Sequence, residues 1–93
     1  VARYGDDMAT VAMLPNRMRI VFPFNDHDPP HFHVVAPDGD MTVRIADLVP
    51  DRGRLPARQA QVVVEWARRH HAELALNWVF ARAKMPLRKV DFP

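Results

Sequence analysis

The spacing of apolar residues in this chain changes period part-way along. Within residues 17–22, 31–36 and 41–45 they recur at every second position, and beyond Pro56 at every third or fourth. Residues 17–22 set Met18, Ile20 and Phe22 on one face and Arg17, Arg19 and Val21 on the other. Residues 31–36 divide likewise, with Phe32, Val34 and Ala36 against His31, His33 and Val35. Residues 41–45 oppose Met41, Val43 and Ile45 to Thr42 and Arg44. A period of two marks a half-buried strand. Pro37-Asp38-Gly39-Asp40 is a strong turn signal, which predicts a hairpin across Asp38-Gly39. Residues 8–14 form a short apolar run compatible with a strand or a short helix, and Pro15-Asn16 makes a turn. Residues 1–7 carry little pattern.

From Pro56, a residue suited to a first helical turn, the apolar stripe runs through Ala60, Val63, Ala67, Leu74, Trp78 and Ala81, with His70 in the same stripe. One straight helix over 57–84 would measure roughly 42 Å at 1.5 Å per residue. That is too long for a domain of this size, so a kink or break is expected near Arg69–Ala72. Trp66, Trp78 and Phe80 supply core bulk. Met85-Pro86 ends the helical region, and residues 87–90 add a short extended tail. The expected fold is α+β: a small antiparallel sheet of three or four strands packed against a broken C-terminal helical region, with residues 1–93 as a single domain.

Ninety-three residues, 48% apolar and 26% charged, suit one globular domain with a modest core. Cysteine is absent, so disulfides and thiolate metal sites are excluded, and a metal would need His and carboxylate ligands. No run of about 18 apolar residues and no signal-peptide pattern is present, so a cytoplasmic protein is expected. Charge is uneven. Residues 1–53 hold five Lys/Arg against eight Asp, a net of −3, and residues 54–93 hold eight Lys/Arg against Glu65, Glu73 and Asp91, a net of +5. The basic half suits an anionic partner or a solvated helix face, since Glu65 stands at ion-pair spacing from Arg68 and Arg69.

The string Asp26-His27-Asp28-Pro29-Pro30-His31-Phe32-His33 holds the candidate site. His31 and His33 share a strand face, Phe32 between them points to the core, and the prolines restrain the loop that carries His27. Asp26 and Asp28 can orient an imidazole or raise its pKa. Arg19 and Arg44 fall on the His face. Three readings are open. The surface binds phosphate or nucleic acid, Arg supplying forked donors and the His pair acid–base chemistry. Alternatively His27, His31 and His33 ligate a divalent transition metal such as zinc, with an Asp as fourth ligand or supporting partner; neighbouring Arg residues count against that. In the third, the histidines are structural. His70 reads as a core histidine with satisfied nitrogens, and His71 as solvent-facing. Trp78 reads as core, and Asn77 as bonding locally, to the loop or to an imidazole.

Asp26-His27-x-Pro29-Pro30-His31-Phe32-His33-Val34 resembles the signature of a bacterial family, domain of unknown function 4160. Glu65-Trp66-Ala67, His70, Glu73-Leu74, Asn77-Trp78, Ala81 and Pro86-Leu87 are similar to that family's C-terminal pattern. The resemblance covers residues 17–90. Residues 1–16 do not follow the family, and Phe24 stands where Tyr is common. The resemblance marks His27, His31, His33, Trp66, His70, Asn77 and Trp78 as family-type positions. It implies a small bacterial protein encoded beside a second one, of the domain of unknown function 2442 type, in pairs regarded as toxin–antitoxin-like modules.

The leading expectation is therefore a component of a small regulatory module resembling toxin–antitoxin pairs. It would bind RNA, DNA or a cognate protein through His27, His31 and His33, with Arg19 and Arg44 beside them. Its enzymatic version is a metal-independent ribonuclease, with His31 or His33 as base and its neighbour as acid. The alternatives are a His-ligated metal-binding domain and a non-catalytic interaction module. Exposed strand edges suit a homodimer.

Overall fold

The computed structural model describes residues 8–24 and 26–93; residues 1–7, read above as patternless, lie outside them. Five strands come first: β1 Met8–Leu14, β2 Met18–Pro23, β3 His31–Ala36, β4 Gly39–Arg44 and β5 Pro50–Gly53. Two helices follow, α1 Ala57–Arg69 and α2 His71–Arg82. The strands form one antiparallel meander in the order β1-β2-β3-β4-β5. The fold is α+β, with five strands where three or four were expected. None of the helices is long and apolar enough to cross a membrane.

The alternation assigns the faces correctly. Met18, Ile20, Phe22, Phe32, Val34, Met41 and Val43 are buried in the core under the helices. Phe32 centres this layer: its ring meets Phe22 at 6.1 Å and Trp66 edge-on at 6.5 Å. The opposite face carries Arg19, Val21, His31, His33, Val35, Thr42 and Arg44, by strand alternation and cross-strand register.

The β3–β4 turn sits one residue earlier than expected. Ala36 pairs with Gly39, so Pro37 and Asp38 form the turn and Gly39 opens β4. Gly39 has φ +144°, and a Cβ there would stand 2.9 Å from the Arg54 carbonyl oxygen. The backbone therefore needs glycine in the strand rather than in the turn. The unpredicted β5 is four exposed residues that begin with proline. An edge strand can begin with proline because that position needs no ladder N–H. With no apolar alternation, β5 leaves no periodic signal.

The expected helix break falls at His70, whose φ of −113° departs from helical geometry. Its backbone N–H still donates to the Trp66 and Ala67 carbonyls, so the chain turns without orphaning donors. α1 buries Val63, Trp66 and Ala67, and α2 buries Leu74, Asn77, Trp78 and Ala81. The tail returns along β1. Val90 N–H donates to the Val11 carbonyl at 2.8 Å, and the Trp66 indole N–H donates to the Asp91 carbonyl at 2.7 Å.

Candidate metal centre

β3 starts at His31, directly after the loop that leaves β2, so the loop and the first strand residues meet at one end of the sheet. His31 and His33 share the face away from the core, with ring centroids 5.2 Å apart and planes nearly perpendicular. Their side chains are only 12% and 20% exposed. The loop folds back and sets Asp26 between them.

Hydrogen bonding fixes the chemistry of this trio. His31 Nδ1 lies 2.8 Å from the Pro29 carbonyl oxygen. A carbonyl only accepts, so Nδ1 carries the proton and donates it. His31 Nε2 stands 2.8 Å from Asp26 Oδ2. An ionised carboxylate also only accepts, so a proton or a cation must lie between these two atoms. His33 Nδ1 pairs with the Thr42 hydroxyl at 3.2 Å. Its Nε2 is buried without a hydrogen-bond partner, 4.0 Å from the same Asp26 oxygen. The tautomer in which Nδ1–H donates to Thr42 leaves a lone pair on Nε2, the nitrogen nearer Asp26.

Electrostatics favour the ligand form of His33 and Asp26. Burial, with the neighbouring His31 ring, pushes the His33 pKa below the ordinary imidazole value and outweighs the pull of Asp26 and Asp40. The ring is thus held neutral. Burial acts to raise the Asp26 carboxyl. The His27 backbone N–H and the His31 ring oppose it, and its pKa ends below the ordinary carboxylate value.

Donor atoms of Asp26, His31 and His33 all lie within 4.8 Å of one another. Metal–ligand bonds of about 2.0–2.2 Å hold adjacent ligands roughly 3–3.5 Å apart. Small side-chain rotations would close the trio on an ion. The sequence reading took His27 as the third ligand, with Asp26 in support. The structure brings Asp26, rather than His27, beside the two strand histidines: the His27 side chain is 92% exposed, and its Nδ1 faces Asp26 Oδ1 at 3.1 Å. The His27 backbone N–H donates to that same oxygen at 2.9 Å, which turns Oδ2 toward the two histidines. The trio lines a cleft of about 160 Å³ together with Thr42, Asp51 and Arg52.

The arginines read from sequence do not join the trio. Arg44 pairs with His31 across the strands, but its guanidinium is spent on Asp47 at 2.8 and 3.1 Å. Arg19 stands opposite Val35 and donates to the Thr10 hydroxyl at 3.2 Å. Neither Arg19 nor Arg44 lines the cleft; the arginine that does is Arg52.

α2 supports the site from the core side. The Trp78 ring packs 5.1 Å from His31, so this tryptophan is both core and buttress. Arg82 lies 5.7 Å over Trp78 and reaches Asp28 in the loop at 3.3 Å. Asn77 is fully buried but serves the tail: its amide donates to the Arg88 carbonyl and accepts from the Arg88 N–H, each at 2.9 Å. It reaches neither the loop nor an imidazole. His70 is satisfied away from the cleft, by Glu73 at 2.6 Å and the Pro93 carbonyl at 3.0 Å. His71 is exposed, as expected, and its Nε2 also donates to the Ile45 carbonyl at 2.7 Å.

Sequence reasoning missed Thr42, Arg52 and Arg82. Thr42 was legible, since it sits on the polar face of β4. Arg52 needed β5, which has no periodic signal. Arg82 needed the direction in which α2 crosses the sheet end.

Together, fold and trio define a small α+β domain with a two-histidine, one-carboxylate cluster on the outer face of its sheet. The chain belongs to the family described as Domain of unknown function (DUF4160), which matches residues 18–79, about two thirds of its length. That segment contains the whole histidine string and Trp78. No curated protein and no solved structure matches the chain.

Proposed function

We propose that this domain binds one divalent transition metal through Asp26 Oδ2, His31 Nε2 and His33 Nε2. One observation carries the reading: the Pro29 carbonyl holds the His31 proton on Nδ1, so three acceptor atoms converge with only a proton or a cation able to join them. A ligating imidazole that anchors its other nitrogen on a carbonyl or hydroxyl is the usual arrangement around protein-bound metals. Both rings here have it. Two imidazoles and a carboxylate suit zinc, and also iron or cobalt in the divalent state. Three protein ligands leave a coordination position open, the arrangement of metals that exchange ligands.

Metal analysis after loading with zinc and desalting tests this. One equivalent is expected in the parent protein. A tetrahedral-type visible spectrum is expected with cobalt. Asp26→Asn and His33→Ala are each expected to weaken zinc by more than about tenfold, the low end of what even supporting residues contribute. A parent protein that retains no metal, with the His31–Asp26 pair behaving as a plain imidazolium–carboxylate bond, would sink the reading.

A second observation favours the regulatory-partner expectation. On α2, Leu76 and Val79 are 43% and 57% exposed, and Met85 just beyond is 50% exposed. Leu76 and Val79 are three apart and share a face. Exposed apolar side chains on one helix face suit a partner contact. The net +5 of residues 54–93 disfavours a second copy, which would bring like charges together. The occupant we propose is the neighbouring small protein of the domain of unknown function 2442 type. Co-expression is expected to give a complex on size exclusion that Val79→Asp disrupts. A complex indifferent to both Val79→Asp and Leu76→Asp would exclude this face.

A further inference from the structure

We propose that the open side of the Asp26–His31–His33 centre receives a phosphate group, held between the metal and Arg52. This deepens the metal reading and rests on it. The sheet itself provides the geometry. Val21 pairs with His33, His33 with Thr42, and Thr42 with Arg52, so these residues form one cross-strand row on one face. Arg52 is two strands from His33, roughly 10 Å between Cα positions, and Thr42 is the only residue of the row between them. An arginine side chain spans much of that distance, and Arg52 lines the same cleft as the trio.

Among the described residues, Arg52 is the arginine that lines this cleft, and its donors are unspent. Arg44 gives its fork to Asp47, and Arg82 reaches Asp28. The Arg52 guanidinium has no hydrogen-bond or ion-pair partner among the described residues. Of the rim carboxylates, Asp28 is engaged by Arg82, and Asp51 stands beside Arg52 in the chain. A divalent ion with one carboxylate ligand retains positive charge, and Arg52 adds a second positive centre across the cleft. Volume limits the ligand. About 160 Å³ falls below the 300–1,000 Å³ of pockets that enclose drug-sized molecules. The cleft admits a phosphate while the rest of any ester remains outside. A guanidinium fork matches phosphate oxygens in pairs, and a tetrahedral anion presents further oxygens to the metal.

Calorimetric titration of the zinc-loaded protein with inorganic phosphate tests the proposal, with zinc content measured on the same sample. A mononucleotide 5′-phosphate and acetate serve as comparison ligands. Saturable phosphate binding is expected with zinc and not without it. Arg52→Ala is expected to weaken it on the order of 10- to 100-fold, as for other hydrogen bonds to charged groups. Arg52→Lys should restore part of the loss, and Arg44→Ala, whose fork serves Asp47, should leave binding unchanged. Arg52 is exposed on an edge strand, so an unchanged melting temperature and zinc content certify each variant. Tighter binding of the nucleotide than of phosphate would assign the group to an ester, and equal binding would assign it to the free ion. A zinc-loaded protein that binds acetate as well as phosphate, or is indifferent to Arg52→Ala, overturns the proposal and leaves the metal reading intact. A protein that takes no zinc overturns both.

Discussion

His33 is the residue whose environment makes least sense for folding alone. Its Nε2 is buried without a hydrogen-bond partner, and such an atom costs about 1–3 kcal/mol. Its neighbour Phe32, one position along and facing inward, contributes the opposite way. Phe32→Ala is expected to cost about 3–5 kcal/mol, read from urea unfolding. His33→Leu keeps the bulk and removes the stranded nitrogen. In chelator it is expected to leave stability unchanged or raise it by about 1 kcal/mol, while zinc binding is lost. A histidine retained for the fold would show the reverse, a clear loss of stability in chelator. Thr42 gives the complementary test. Thr42→Val removes the partner of His33 Nδ1 and frees the ring to change tautomer. Zinc affinity is expected to fall about 10- to 100-fold with little change in melting temperature; an unaltered affinity would mean that the hydroxyl does not orient the ring.

At the scale of elements, the join between α1 and α2 carries a pH-dependent contact. The Glu73 carboxylate beside the His70 ring raises its pKa above the ordinary imidazole value, burial opposing and the Pro93 carbonyl assisting. The folded state therefore binds the His70 proton more tightly than the unfolded chain does. The stabilisation is fully present below about pH 6.5, the unfolded value. It fades as pH rises through the higher folded value. Glu73 is half exposed, so the gain stays under about 1 kcal/mol. The melting-temperature difference between parent and Glu73→Gln is expected to be largest in mild acid and to close with rising pH; a difference that grows with pH would contradict the pairing.

The elements also show what the sequence could reveal. Strands β2, β3 and β4 announce themselves because one face meets the core and the other does not, and burial imposes a period of two. The helix break was legible from length alone. β5 was not, since an exposed edge imposes no period, and Arg52 was lost with it. The site divides in the same way. That His31 and His33 share a face follows from alternation. That Asp26 displaces His27 depends on which backbone N–H the carboxylate accepts, and no spacing encodes that choice.

At the scale of the whole molecule, the segment after α2 closes the fold although it belongs to no helix or strand. Val90 is buried against β1, and its N–H pairs with Val11. The Asp91 carbonyl satisfies the Trp66 indole, and Arg88 satisfies both ends of the buried Asn77 amide. Truncation after Leu87 removes all of these together. Loss of Val90 burial forfeits about 1.5–3 kcal/mol. Leaving the Asn77 amide and the Trp66 N–H unmet costs about 1–3 kcal/mol for each group that stays dry. A domain of this length has about 5–14 kcal/mol in total, so the truncated chain should lose most of its stability and melt tens of degrees lower by circular dichroism. Asn77→Leu in the full chain separates the causes. It removes the amide but keeps the tail, and is expected to cost only the tether on Arg88, a few kcal/mol at most. If truncation left the melt unchanged, the tail would be an appendage, and the burial of Asn77 and Trp66 would need another source of partners.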